Sequence, residues 1–465
     1  MQPQQNPFEF WASQRGDACA LVTPNERISW QQLAGHVSSI ASQLAEQGVT
    51  AGSVVTLVGK DSQQMLWYLL GAMHLGAITA LTLPQSKSLL KDKLDALYKH
   101  DQAQWRWLDA NAEREAQLCS TLQPLLWTDS LPHVTSNYCL DALATIVFTS
   151  GSTGRPKAVV HSHAQHFASA NGLLQKFAFT CDDTWLLSLP IYHVSGLSII
   201  YRWLAVGGCL KLASGDLHQD IQDATHASLV PTQLQRLLTS STPLKLTHVL
   251  LGGGHIPTEL AERANALGVQ TWIGYGMTEA ASTISAKAVD GQTGVGDVLP
   301  NRQVKIEGNH IFVGGDTLAS GYYFQGTLRS LRSDSGWFAS GDLGRWQANQ
   351  LHIIGRADNL FISGGENIHC EEVEAALVGF PKVLQAFVVP IVSEEFGARP
   401  VAILDVPSLP QRDKLEAWLH HHLVKFKWPD HYFLMPEALK QSGIKVSRQS
   451  LKQWLNETTE FEVIS

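Results

Sequence analysis

FTSGSTGRPKAVVHSH (Phe148–His163) follows an apolar run and mixes hydroxyls, glycines and a lysine. Glycine supplies backbone freedom, hydroxyls supply hydrogen-bond donors and lysine supplies charge. That mixture suits a loop folded over phosphate. The order is not the Walker one, G-x-x-x-x-G-K-[ST], because Lys157 follows Pro156 and precedes Ala158. A generic P-loop nucleotidase is therefore disfavoured. Taken alone, a Gly/Ser/Thr cluster also reads as a flexible polar loop.

Outward from this stretch, strand-like and helix-like segments alternate. Ser29 to Gly48 reads as an amphipathic helix, with Ser29 as N-cap and Leu33, Val37, Ile40 and Leu44 at helical spacing. SVVTLVG, TWLLSLP, CLKLA and THVLLGGG read as strands, SGLSIIYRWLAVGG as a helix, and ASLVPTQLQRLL as strand, proline break and helix. Such alternation implies parallel sheet layers, whose ligands collect at the carboxyl ends of strands. Gly-rich segments at 151–154, 252–254 and 274–276 each follow a strand and are expected to converge on one site. From about residue 290, VKIEGNHIFVGG, GWFASGDLGRW and LHIIGR read as short antiparallel strands, and after Asp358 a smaller α+β unit begins. The expected fold is α/β: a large N-terminal domain of stacked sheets flanked by helices (1–357), with a distorted antiparallel barrel-like part, and a small mobile C-terminal lid domain (358–465) hinged near Asp358.

The 465 residues exceed one ordinary core. With 44% hydrophobic and 16% charged residues the composition is globular rather than disordered, and a net charge of −8 without a basic block argues against a nucleic-acid partner. An anionic substrate would need a local basic pocket. Cysteines at 19, 119, 139, 181, 209 and 370 form no Cys-x-x-Cys pair and read as reduced thiols of a cytoplasmic protein. Met65 to Leu83 approaches the length of a membrane span, but Gly71, Gly76 and the shift to Ile78 and Thr79 argue for a buried helix running into a buried strand, hence no integral membrane association.

The Thr149-Ser150-Gly151-Ser152-Thr153-Gly154-Arg-Pro-Lys157 segment resembles the phosphate loop of the adenylate-forming superfamily, which contains acyl-CoA synthetases, firefly luciferase and peptide-synthetase adenylation domains. Further matches follow in order. LPIYHVSG resembles the motif whose histidine, here His193, lies near the acyl pocket, with Ser195 beside it. Gly252, Gly253 and Gly254 resemble the adenine-pocket glycines. In Tyr275-Gly276-Met-Thr278-Glu279 the resemblance implies an aromatic ring on adenine, a threonine on the α-phosphate and a glutamate holding Mg²⁺. Gly341-Asp342 resembles the ribose-binding aspartate motif and Gly355-Arg356-Ala-Asp358 the hinge motif with its nucleotide-contacting arginine. GIKVSR resembles the catalytic-lysine motif and places that lysine at Lys445.

These roles make physical sense. A carboxylate attacking the α-phosphorus of ATP is anion meeting anion, so charge must be offset by Mg²⁺ and cations. Without the resemblance, Asp342 reads equally as a turn residue, Lys445 as a solvated tail lysine and His193 as a core histidine; we assign no base role to His193.

Some positions depart from the common pattern. Ser363 stands where lysine is usual, Cys370 where proline is frequent, and Gly443-Ile444-Lys445 carries one extra residue. Arg202 bears on the substrate. A guanidinium within the apolar helix SGLSIIYRWLAVGG is costly unless paired, either with an acidic residue or with a second carboxylate on the substrate. The segments taken together resemble the o-succinylbenzoate–CoA ligase branch of the superfamily. That resemblance implies ATP, Mg²⁺ and coenzyme A as cofactor and co-substrates, and 2-succinylbenzoate as acid. It also implies a Gly364–Gly365 loop that opens a tunnel for CoA when the small domain rotates. Another aryl- or acyl-CoA synthetase is the neighbouring alternative. Whether the chain forms a homo-oligomer is left open. Lys287 offers a second cation for the distal carboxylate but reads more simply as a surface lysine.

Overall fold

The computed structural model describes residues 4–100, 102–126, 134–150, 156–239, 245–252, 256, 258–440, 446 and 448–464. Within them, two large sheets enclose a layer of helices. The seven-stranded sheet is parallel through Trp105–Leu108, Val54–Val58, Ile78–Thr82 and Leu143–Ser150, then antiparallel through Pro156–Ser162, Gly321–Phe324 and Thr327–Arg329. The nine-stranded sheet has a parallel centre that includes Thr184–Leu187, His226–Leu229, His248–Leu251 and Gln270–Met277.

The expected helices and strands form where the apolar spacing placed them. Ser29 caps the helix Trp30–Glu46 through a reciprocal capping box with Gln32, and its apolar stripe of Leu33, Val37, Ile40 and Leu44 is fully buried. The 65–83 segment folds as the buried helix Ser62–Leu75, a left-handed Gly76 and the buried strand Ile78–Thr82. No helix of the described residues is long and apolar enough to cross a membrane. Helices Trp30–Glu46, Ser62–Leu75, His163–Leu174 and Val194–Val206 share one core between the sheets, with Trp30, Trp67, Phe167 and Trp203 at its centre. The outer sheet faces carry their own helices, Lys87–Leu97 on one side and Pro231–Leu238 on the other. Layers thus alternate helix, sheet, helix, sheet, helix.

The region after 290 is the antiparallel four-stranded sheet Arg302–Glu307, His310–Gly315, Phe338–Gln347 and Gln350–Arg356. Register breaks near His310 and Leu343 bend its strands, which is how a small sheet curls toward a barrel. Beyond Asp358, the sheet formed by Gln385–Ser393, Gly397–Asp405 and His431–Leu434 alternates its side chains with period two. Val388, Ala402 and Leu404 pack on helices Cys370–Val378 and Arg412–His420, while Val389, Val401 and Ile403 pack on helix Arg448–Thr458.

Two expectations need correction. Residues 274–276 do not follow a strand. They lie within strand Gln270–Met277, where a Cβ on Gly276 would fall 2.0 Å from the Ser282 carbonyl; glycine lets the strands meet across a register shift. Thr149 and Lys157 are likewise strand residues, directly paired across a hairpin. Residues 151–155 between them, with Gly151, Ser152, Thr153 and Gly154, lie outside the described residues.

Candidate active site

A cleft of about 2800 Å³ opens between the large domain and the C-terminal unit. Thr149, Lys157, His193, Tyr275, Gly276, Thr278, Glu279, Asp342, Arg356 and Asp358 all line it, so residues spread over more than 200 positions meet at one place. The far wall is formed by Glu371, Glu374, Val446, Arg448 and Lys452, among others.

Asp342 is the hub of the nucleotide side. It sits on strand Phe338–Gln347, opposite Arg356 in the register, and is buried. The Tyr275 hydroxyl donates to its Oδ2 at 2.6 Å, and the Arg356 Nη1 donates to its Oδ1 at 3.1 Å. Arg356 also forks onto Asp358, with Nε and Nη2 at 3.1 and 3.2 Å. Gly341 is required here: its φ is +78°, and a Cβ would lie 3.0 Å from the Arg356 guanidinium. Burial pushes the Asp342 carboxyl up against the pull of Tyr275 and Arg356. A carboxylate has about four lone-pair positions, so two donors leave room for further hydroxyls.

Glu279 stands on the short turn Thr278–Ala280. Ala281 and Ser282 follow at φ +50° and +93°, a left-handed pair with no glycine that costs on the order of 1–3 kcal/mol per residue. The turn is held by Ser169, whose Oγ donates to the Ala281 carbonyl at 2.5 Å, and by the Ala319 amide donating to the Glu279 carbonyl at 2.8 Å. Burial raises the Glu279 carboxyl, opposed by the charges of Lys157 and Arg356. Tyr322 completes this corner. Lys157 lies 5.3 Å from its ring centre, and burial with the Glu279 charge pushes its hydroxyl up to about 12. Sequence reading missed Tyr322, because strand Gly321–Phe324 joins Pro156–Ser162 across more than 150 residues and no local pattern announces it.

His193 precedes helix Val194–Val206 and lines the cleft; Ser195, in the first turn, does not. Arg202, two turns further along that helix, is only 2% exposed. It lies one layer behind the wall. Gly274 lines the cleft, a Cβ there would meet the Thr283 methyl at 3.0 Å, and Thr283 Oγ1 is 3.5 Å from Arg202 Nη2. Arg202 Nε has no partner, the guanidinium lies 5.3 Å over Trp185, and no carboxylate pairs with it among the described residues. Burial first, and the like charge of Arg302 second, lower its pKa. Lys287 is not a surface lysine: it is 9% exposed and bound to Asp290 at 2.7 Å and Gln350 at 3.0 Å.

Some expected residues are elsewhere. Gly252 ends strand His248–Leu251 without lining the cleft, and Gly364 and Gly365 form the tight turn between Leu360–Ser363 and Glu366–His369, also away from it. Ser363, the departure from the usual lysine, is buried and accepts a hydrogen bond from Arg399 at 3.3 Å. Gly253, Gly254 and Lys445 lie outside the described residues, as does the Ser150 side chain.

The α/β fold thus brings a buried aspartate, a half-buried glutamate and a strand lysine together on one cleft. The chain belongs to the AMP-binding enzyme family, which it matches over residues 8–323. It is 39% identical to the 2-succinylbenzoate–CoA ligase of Escherichia coli over 97% of this chain and 98% of that protein. It is 40% identical to the ligase of the same name from Salmonella typhimurium, over 97% and 98%. Among solved structures, a point variant of E. coli MenE with bound OSB-AMS superposes with a TM-score of 0.89 at 39% identity, covering 98% of this chain and 99% of the other. MenE from Bacillus subtilis in complex with the acyl-adenylate intermediate OSB-AMP gives 0.81 at 25%, covering 97% and 98%.

Proposed function

We propose that the chain is an ATP-dependent ligase that converts 2-succinylbenzoate to 2-succinylbenzoyl-CoA through an acyl-adenylate. The relatives' names support the reaction. The observation that carries the substrate is Arg202, a buried cation with no acidic partner among the described residues. An uncompensated buried guanidinium is expensive, and a ligand carboxylate is the group that relieves it. Of the two carboxylates of 2-succinylbenzoate, one meets Arg202, by way of the thin wall at Gly274 and Thr283. The other is presented to ATP.

In the first half-reaction that carboxylate attacks the α-phosphorus and pyrophosphate leaves. We assign Thr149, Ser150, Gly151, Ser152, Thr153, Gly154 and Lys157 to the outer phosphates and Thr278 to the α-phosphate. Tyr275, Gly276 and Gly252–Gly254 are assigned to adenine, Asp342 and Arg356 to the ribose side, and His193 and Ser195 to the acyl entrance. Glu279 fits a magnesium ion: it is a half-buried hard-oxygen donor on the cleft wall, and the described residues contain no larger ligand cluster, as suits an ion held by one carboxylate and substrate phosphates. When bound, Mg²⁺ would offset the phosphate charge. Lys445 is assigned to the charge that develops at phosphorus. In the second half-reaction the CoA thiol attacks the adenylate carbonyl and AMP leaves. We place the hinge at Asp358, with residues 358–465 rotating to bring Gly364 and Gly365 toward the cleft. ATP and CoA as co-substrates put the reaction in the cytoplasm.

The test is to incubate the enzyme with ATP, Mg²⁺, CoA and each of 2-succinylbenzoate, benzoate and octanoate, and to measure AMP, pyrophosphate and thioester. Thioester from 2-succinylbenzoate alone supports the reading; equal turnover of benzoate or octanoate moves the enzyme to another acyl-CoA synthetase. Asp358→Pro is expected to slow thioester formation at least tenfold while leaving pyrophosphate release from the first step within about twofold, since proline fixes φ at a hinge. Equal loss of both steps would remove the hinge assignment.

A further inference from the structure

Cys19 and Cys209 are 190 positions apart in sequence, yet their sulfurs lie 3.4 Å apart. They are carried by neighbouring parallel strands, Cys19–Val22 and Cys209–Leu212, held in register by Leu21 opposite Leu210. We propose that this pair is an oxidisable dithiol, with Cys19 the attacking thiol and Cys209 the resolving one, which closes to a disulfide when the protein meets a peroxide.

The geometry divides the roles. Cys19 is partly exposed and can meet a small oxidant, whereas Cys209 is 7% exposed and shielded. Cys19 sits at a register break in its pairing with strand Arg27–Ser29, which supplies Arg27. The hydrogen bond shared with Cys209 is the largest influence holding the Cys19 thiol below its ordinary value; burial opposes it, and the Arg27 charge adds to it. Cys209 is shifted the other way by the same contact, so Cys19 ionises first. A partly exposed thiolate beside a cation and next to a second thiol is the arrangement that oxidises selectively. The exposed cysteines, 119, 139 and 181, have no cysteine partner among the described residues.

The chemistry balances. The Cys19 thiolate attacks one oxygen of hydrogen peroxide, the O–O bond breaks, and sulfenic acid and hydroxide form. The Cys209 sulfur then attacks the sulfenic sulfur and expels its oxygen as water. Two thiols and one peroxide give one disulfide and two waters. A dithiol reductant reverses the step by exchange. The sulfurs need close by little more than an ångström to reach bonding distance. The bond would tie the N-terminal strand to the segment that follows Gly207 and Gly208, at the end of the helix bearing Arg202.

The full-length protein should be treated with one equivalent of hydrogen peroxide, alkylated and mapped by mass spectrometry. The expected result is loss of two of its six alkylatable thiols, a Cys19–Cys209 cross-linked peptide, and its disappearance with dithiothreitol. Cys209→Ser should accumulate sulfenic acid at Cys19, trapped by dimedone. Cys19→Ser should leave Cys209 alkylatable at the same dose. Both variants keep near-native volume, and retained pyrophosphate release shows that they fold. Oxidation of Cys119, Cys139 or Cys181 at a rate equal to or above that of Cys19, or disulfides only between molecules, would overturn the proposal.

Discussion

Two buried arginines flank Thr283, and they are built oppositely. Arg302 Nε donates to the Thr283 carbonyl at 2.9 Å; its other nitrogens reach the Pro300 and Ser169 carbonyls and the Ser169 hydroxyl, each at 2.8 Å. Arg202 reaches the Thr283 hydroxyl at 3.5 Å, and its Nε has no partner among the described residues. Arg302 is a tie rod between helix His163–Leu174 and the strand Ser282–Ala288 that follows Glu279, its charge spread over carbonyl dipoles. Arg202 is held by packing and one long hydrogen bond, with its Nε donor unused among the described residues. The difference separates a guanidinium tied into the fold from one with a donor to spare, which is what the proposed contact to a substrate carboxylate requires.

The largest expected effect is on catalysis. Arg202→Met should lower kcat/KM for 2-succinylbenzoate by about 10²–10³-fold, the usual consequence of removing a charge-assisted contact to a buried carboxylate. Its melting temperature should hold or rise, because an uncompensated buried charge has been removed. Arg302→Met should do the reverse. Leaving several buried carbonyls without donors should cost about 3–5 kcal/mol of stability, read by denaturant unfolding, with the preference among acids unchanged. Gly172→Ala tests the same tie rod from its other side. A Cβ there would fall 2.0 Å from Arg302 Nη1 and 2.3 Å from the Pro300 carbonyl, so a loss of about 1–3 kcal/mol is expected.

A smaller effect sharpens the contrast between cations and neutral groups. His161 and His163 are fully buried near the same helix, and burial pulls both down to about 3. An unfolded chain takes up protons on them below 6.5 while the folded one does not. Stability is therefore intact above about pH 6.5 and falls between 6.5 and 3, by about 1.4 kcal/mol per pH unit for each histidine. Melting curves from pH 7 to pH 5 check the slope; His163→Asn should reduce it.

Much of this was legible in the sequence because it is local. Capping at Ser29, the apolar spacing of Leu33 to Leu44 and the left-handed Gly76 are settled by neighbours in the chain. So were the cleft residues that fall in short ordered stretches, Tyr275 to Glu279 and Gly341-Asp342. Tyr322 and Arg302 were not legible, since their meaning depends on partners more than 130 residues away. Arg202 stood out as a charge in an apolar helix, but whether an acid faced it was a tertiary fact. Gly274 and Gly276 were expected after a strand rather than inside one; here two strands approach too closely for a side chain at 276, and at 274 the wall over Thr283 is kept thin.

The most direct measurement compares adenylation of 2-succinylbenzoate with that of its methyl ester at the carboxylate distal to activation, in the native enzyme and in Arg202→Met. The account predicts that the native enzyme prefers the free diacid by about 10²-fold or more and that the variant loses the preference. A native enzyme indifferent to the ester, or a variant that keeps the full preference, would contradict the assignment of Arg202 to the substrate's second carboxylate.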